Sequence, residues 1–479
     1  MAFSSWLPIP TNSPFSLANI PFGIIQRSAS DPAHPAIAIG DHVLDLAIFS
    51  AHGGFSAIPL PSTLDVSVFA KPTLNAFAAL GQPTHRAVRH YLQDVFRRET
   101  PYGPILRDNP DLQRQALFPR GSVQSLRPMH VGTFTDFFAG IHHARNCGVI
   151  FRGAANALQP NYTHLPVGYH SRASSVVVSG TPVYRPRGQI LASSSSGEAP
   201  STAAAASTTT ATTTGPKAVP ILAPCRRLDM ELELGAFLCK GNRLGEPIPI
   251  DQAHEYIFGY VLVTDWSARD IQAWEAVPLG PFNAKSFCTT ISPWVVLPDA
   301  LEPFRVRALE LNPDLDHPGQ VPGLLPYLRE KVECNVFDIN LEVSLSTSTH
   351  ETPTKITKTS SRNLLFSFPQ MIAHHTVNGC PLETGDLLGS GTISGTEPGT
   401  LGSFLEMTQG GKTAVAIPIE VEVAGKAGQE LTASNRMFLE DGDTVTITGI
   451  CAGSSAVDGC AIGFGECSGT IYPPCAYDY

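Results

Sequence analysis

The sequence predicts a mainly β chain with some helix (α+β), and three features point there. Short apolar runs recur from about residue 126 onward, broken by glycine and proline, 41 of each in the whole chain. That rhythm suits a β-sandwich or roll and not a parallel α/β sheet. The run Leu228-Asp229-Met230-Glu231-Leu232-Glu233-Leu234 alternates apolar and polar residues with a period of two, the signature of a strand. Pro35 to Leu46 reads as two short strands around a Gly40-Asp41 turn, a hairpin.

Taken in order, residues 1–125 read as a separate module. The hairpin is followed by helical stretches near Thr73–Leu80 and His85–Glu99, with no catalytic constellation among them. A larger unit, 126–479, holds the acidic strand and most of the Gly- and Pro-bounded runs. Within it, residues 192–217 are almost all Ser, Thr and Ala, a low-complexity insertion expected to form a mobile surface loop.

At 479 residues the chain is long enough for two domains, and a hydrophobic content of 43% supports a sizeable core. Only 15% of residues are charged and the net charge is −10, which argues against a nucleic-acid partner. No apolar run approaches the ~20 residues of a membrane span. The first residues lack the basic-then-apolar order of a signal peptide, and the last carry no targeting tag. The ten cysteines form no Cys-x-x-Cys pair, which suits buried free thiols in a reducing compartment. The expected location is cytoplasmic.

On a strand, Glu231 and Glu233 point the same way while Leu232 and Leu234 face the core. Two such carboxylates repel unless something positive lies between them. A hard divalent cation with oxygen ligands answers that need, with Asp136 and Asp265 as further carboxylates. The alternative is an exposed polar face on a half-buried strand. Mg2+ and Ca2+ both fit an all-oxygen site.

Asp136 and His143 are seven apart, so they would share a face if the segment were one helix, with His142 rotated about 100° away. Arg269 and Gln272, three apart, would share one side of a helical turn. Ser390-Gly391-Thr392-Ile393-Ser394-Gly395 is a glycine-bounded loop. Gly410-Gly411-Lys412-Thr413 is not a phosphate loop, because position 406 is Glu and not the required Gly.

These motifs occur in a fixed order together with His143-Ala144-Arg145-Asn146, Phe151-Arg152-Gly153, Leu165 to His170, Asp265 to Gln272 and Val277 to Phe282. In that order, from about Trp6 to about Pro474, the chain resembles the fumarylacetoacetate hydrolase family, carbon–carbon hydrolases that end tyrosine and phenylalanine breakdown. A divergent fungal-type paralogue would fit. The resemblance implies a small SH3-like barrel over 1–125, a catalytic β-sandwich or roll over 126–479, and a homodimer. It implies hydrolysis of a 1,3-diketo acid, fumarylacetoacetate or a bulkier, less polar β-diketone. Asp136, Glu231, Glu233 and Asp265 would hold the Mg2+ or Ca2+, with Lys285 and Thr289 close to it. His143 would be the general base, oriented by Glu406. Arg269, Gln272 and Lys285 would stabilise the oxyanion, and Thr392 would touch the substrate.

Arg152 and Tyr169 match the residues that hold the far carboxylate of the substrate in that family. Two tyrosine positions are changed, to Phe138 and Ala276. Each buried polar group left unpaired costs about 1–3 kcal/mol. Two such losses imply ~100-fold or more in selectivity for the usual acid, hence a retuned pocket. Ser171 and Cys288 replace glycines nearby. A competing expectation is decarboxylation, isomerisation or carbon–carbon bond formation through a metal-bound enolate on a specialised substrate. An inactive scaffold is disfavoured, because every ligand and His143 are present.

Overall fold

The computed structural model describes residues 4–59, 64–192, 219–309, 323–422, 429–452 and 460–477. Apart from Ala192, the insertion expected over 192–217 lies outside the described residues.

The N-terminal part is a five-stranded antiparallel half-barrel. It comprises β1 (Phe22–Gln26), β2 (His34–Ile39), β3 (His42–Asp45), β4 (Leu117–Pro119) and β5 (Gln124–Leu126), in the order β4-β3-β2-β1-β5. The β2–β3 hairpin pairs Ile39 with His42 around Gly40, whose φ of 54° supplies the left-handed turn conformation. Helix α1 (Gln82–Phe96) packs Val88, Leu92, Val95 and Phe96, spaced three and four apart, into the apolar interior.

Two larger sheets, beside three two-stranded ones, make up the mainly β body. The first has seven strands: β6 (Phe134–Phe137), β7 (Gly168–His170), β8 (Val176–Val178), β10 (Leu228–Leu238), β11 (Ile257–Ala268), β12 (Thr289–Ile291) and β15 (Leu387–Gly389), ordered β7-β6-β15-β10-β11-β12-β8. It is mixed, with parallel pairings of β15 with β6 and of β12 with β8. The second runs β14-β13-β16-β17-β9, from β9 (Val183–Tyr184), β13 (Asn340–Thr347), β14 (His350–Ser360), β16 (Thr444–Cys451) and β17 (Ile462–Tyr472). The two sheets face each other. A Cβ at Gly469 would meet the Trp266 ring at 2.6 Å, and one at Gly449 would meet Leu262 at 2.8 Å. Inter-sheet packing this close needs glycine on one side.

Every residue of β10 and of β11 is buried. The acidic face of β10 is therefore not an exposed polar face, the alternative reading of its alternation. Chain from both sides covers these strands, and only specific partners can justify the buried charge. The half-barrel joins the large sheet through one apolar cluster, where Phe22 and Phe77 meet Phe258 and Val263.

Candidate active site

Strand pairing assembles the site. Asp229, Glu231 and Glu233 lie on one face of β10, two residues apart. Glu231 stands opposite Asp265 on β11, and Asp265 stands opposite Thr289 on β12. Directly opposed residues of an antiparallel pair share a face. Parallel pairing of β15 with β6 sets Gly389 beside Asp136. A Cβ at Gly389 would lie 2.5 Å from Asp136 Oδ1 and 3.1 Å from Glu233 Oε2, so only glycine lets these carboxylates converge.

Asp136, Glu233 and Asp265 each offer an oxygen within 4.8 Å of the other two. Asp136 Oδ1, Glu233 Oε2, Asp265 Oδ1 and the Thr289 hydroxyl are buried and accept or donate no hydrogen bond. Each such orphan costs about 1–3 kcal/mol. One hard cation would satisfy the whole group, so the donor set fits Mg2+ or Ca2+. Of the four expected ligands, the structure brings these three together. Glu231 instead faces cations: Arg269 Nη2 donates to its Oε1 at 2.8 Å, Lys285 Nζ donates to its Oε2, and His143 Nε2 lies 3.3 Å from Oε1. Lys285 also donates to Asp265 Oδ2.

The electrostatics divide accordingly. Burial pushes Asp136 up to about 6, against the pull of Lys285. Burial, together with Asp136, Asp265 and Glu231, raises Glu233 well above the usual carboxylate range. Asp265 is raised too, by burial first, although Lys285 opposes it. Burial acts on Glu231 as well, but Arg269, Lys285 and His143 outweigh it and hold this carboxyl well below its ordinary value. Three carboxylates thus lack sufficient positive charge and one has it.

Asp136 lies on strand β6, whereas His143 lies on helix α2 (Ile141–Arg152). The expectation that the two share a helical face is wrong. The chain leaves the sheet after Phe137 and starts the helix at Ile141, yet both side chains border the same cavity. Gly140 permits that entry, because a Cβ there would run into the carbonyl of Thr392.

His143 is 1% exposed and Glu406 4%. His143 Nδ1 lies 2.6 Å from Glu406 Oε2. Glu406 sits on the short helix α5 (Phe404–Met407). It also accepts from Asn146 at 2.8 Å, Ser394 at 2.8 Å and Ser403 at 2.9 Å. Burial disfavours its charge, but His143 and these donors lower its pKa regardless. The distance assigns the proton to Nδ1 and leaves Nε2 beside the cavity, 3.4 Å from Cys147 Sγ. Burial likewise opposes the imidazolium, while Cys147, Glu406 and Glu231 raise its pKa well above the ordinary value.

The cavity measures about 450 Å³. Arg269 and Gln272 open onto it from helix α3 (Arg269–Glu275), with Arg269 Nη1 donating to Gln272 Oε1 at 3.1 Å, as their spacing predicts. Lys285 enters from helix α4 (Asn283–Ser286). Phe138, Arg152, Tyr169, Ala276 and Thr392 all line it. Phe138 stands edge-on to the His143 ring at 5.4 Å, so the changed position touches the base. Tyr169 donates its hydroxyl to Asp136 Oδ2 at 2.8 Å, toward the carboxylate cluster and not toward a remote end. Sequence reasoning missed Asn146, Cys147, Ser394 and Ser403. Helical spacing of three and four from His143 marks the first two; nothing local marks the serines.

Residues 18–128 match the family model described as fumarylacetoacetase N-terminal, and residues 133–471 match that of fumarylacetoacetate hydrolase C-terminal. A fumarylacetoacetase from Aspergillus fumigatus is 55% identical over 470 residues, covering 98% of each chain. One from Emericella nidulans is 54% identical, over 99% of this chain and 100% of its own. The human fumarylacetoacetase is 43% identical, over 98% of this chain and 99% of its own. Similarity of that depth, sustained across both the half-barrel and the sheets that build the acidic cavity, shows that the chain belongs to the fumarylacetoacetase family.

Proposed function

We propose that this chain hydrolyses fumarylacetoacetate to fumarate and acetoacetate, cleaving a carbon–carbon bond with a divalent cation. One observation carries the reading. A buried His–Glu pair at 2.6 Å opens, through His143, into the cavity lined by Asp136 and Glu233, two of the three converging carboxylates with orphaned oxygens. Asp136, Glu233 and Asp265 would hold Mg2+ or Ca2+, with Glu231 and Thr289 beside them. The cation supplies Lewis-acid polarisation of the 1,3-dicarbonyl.

The remaining steps fall to the chain. In its neutral form, which its raised pKa makes the scarcer one, His143 takes a proton from water at Nε2, and Glu406 stabilises the resulting imidazolium through Nδ1–H. The water oxygen bonds to the fumaryl carbonyl carbon. Negative charge on the carbonyl oxygen is met by donors from Arg269, Gln272 and Lys285. Collapse of this adduct breaks the carbon–carbon bond. Its electron pair goes to the methylene carbon of the departing acetoacetate, which receives the proton held by His143. Arg152, Thr392 and Tyr169 border the substrate space, with Phe138 and Ala276 where the family carries tyrosines.

The homodimer, the cytosolic location and a division near residue 125 into a packing unit and a catalytic unit belong to the same proposal. No described helix is long and apolar enough to cross a membrane. The test is loss of substrate absorbance with added Mg2+ or Ca2+. Turnover abolished by chelation and restored by the ion supports the reading; turnover unaffected by exhaustive chelation refutes it. A monomer in sedimentation equilibrium would remove the dimer.

A further inference from the structure

Asp229 is completely buried on the acidic face of β10, two residues before Glu231, and it touches neither the cavity nor the converging carboxylates. Its carboxylate is nonetheless saturated. Oδ1 accepts from the amide of Phe404 at 2.7 Å and from that of Met230 at 2.8 Å. Oδ2 accepts from Arg269 Nε at 2.8 Å and from the amide of Leu405 at 3.0 Å.

Those partners belong to two different parts of the machinery. Phe404 and Leu405 are the first two residues of the helix turn that carries Glu406, and Glu406 orients His143. Arg269 reaches from the same carboxylate into the cavity, where its Nη2 and Nη1 engage Glu231 and Gln272. We propose that Asp229 is a positioning residue that locks the His143–Glu406 base and the Arg269–Gln272 oxyanion donors into one frame. No other side chain among the described residues hydrogen-bonds both Arg269 and the backbone of the Glu406 turn.

The chemistry explains why a carboxylate is required. All four groups around it are N–H donors, so an acceptor-only side chain suits the position. An amide of the same shape presents an NH2 to two of them, since each oxygen accepts two bonds. The lost bonds would loosen the helix turn in one orientation of the amide, and the turn together with the guanidinium in the other. A displacement of about 1 Å at a reacting group costs on the order of 100-fold in rate.

This role rests on the hydrolytic reading above, and the experiment separates the two. Wild type, Asp229→Asn and Glu406→Gln, with the double variant, are assayed on fumarylacetoacetate, and Mg2+ affinity is measured by calorimetry. For Asp229→Asn the expected result is a kcat lower by about 100-fold, KM changed by less than about threefold, and Mg2+ affinity unchanged. In the Glu406→Gln background the same substitution should cost less than about tenfold, because the frame it holds no longer serves a working base. Asp229→Ser, which can recruit a water in place of the lost oxygen, gives the same comparison if the Asn chain does not fold. A kcat within threefold of wild type overturns the positioning role, as does a loss of Mg2+ affinity that parallels the loss of rate. Absence of wild-type turnover overturns the hydrolase reading instead.

Discussion

Replacing Glu406 by Gln probes the base most sharply, because it changes charge and one hydrogen-bonding direction while keeping shape. Glu406 accepts from His143, Asn146, Ser394 and Ser403, and all four are donors to it. The imidazolium formed during water attack would lose one charge-assisted hydrogen bond, about 2–3 kcal/mol. The Gln NH2 can also donate to Nδ1, which forces the proton onto Nε2, the nitrogen that must accept from water. Restoring the productive tautomer then leaves buried donors facing each other, about 1–3 kcal/mol more. The sum, about 3–6 kcal/mol, corresponds to a kcat lower by about 10² to 10⁴. Steady-state kinetics on fumarylacetoacetate with saturating Mg2+ reads this directly, with a thermal melt to establish folding. KM should move little, since Glu406 touches no substrate. A folded Glu406→Gln chain whose kcat lies within tenfold of wild type would refute the dyad as the base.

Three further outcomes follow from other parts of the molecule. Burial and mutual repulsion raise Asp136, Glu233 and Asp265, so an incoming cation must displace protons; Mg2+ or Ca2+ affinity should rise with pH, and calorimetry in two buffers at pH 7 should show proton release, whereas a buffer-independent enthalpy contradicts it. His85, held between Phe77 and Phe258 with Nε2 against the carbonyls of Phe77 and Ala78, is pushed by burial down to about 4 from 6.5. The native state then binds fewer protons than the unfolded chain between those values, so stability is complete above 6.5 and falls as pH drops, by about 2 kcal/mol at pH 5; His85→Leu should flatten that acid limb in urea titrations, and parallel wild-type and variant curves would be the contrary result. Phe138→Tyr places a hydroxyl in the cavity beside His143 and should lower KM for fumarylacetoacetate by about 5-fold if it meets a polar substrate atom; an unchanged KM would show that the position does not contact the substrate.

Much of this arrangement was legible because a pleated strand has an invariant period. The common face of Glu231 and Glu233 follows from their spacing, and the same rule extended by one step reaches Asp229. Arg269 and Gln272 meet across one helical turn as three-residue spacing requires. Asp136 and His143 mislead, because seven residues span a strand end, a turn and a helix start, and spacing carries no geometry across that change. Burial of β10 is also invisible locally: the segment Ser390–Glu406, more than 150 residues downstream, lies along its edge, where its backbone bonds Leu232 and Leu234. The His143–Glu406 contact spans 263 positions, so only the family resemblance suggested it. The cationic surroundings of Glu231 have a physical origin as well. A strand places a carboxylate on a face, but Arg269 and Lys285, arriving from separate helices, decide whether it meets a cation from the solvent or one from the chain.

A cation-holding carboxylate cluster and a His–Glu base should together cleave one carbon–carbon bond by adding water. Product analysis tests it most directly. Metal-loaded wild type and His143→Ala are incubated with fumarylacetoacetate, and fumarate and acetoacetate are quantified by NMR. The expected result is equal amounts of both products from wild type, matching the substrate lost, and none above background from His143→Ala. Substrate loss without fumarate, or equal turnover by the two chains, would contradict it.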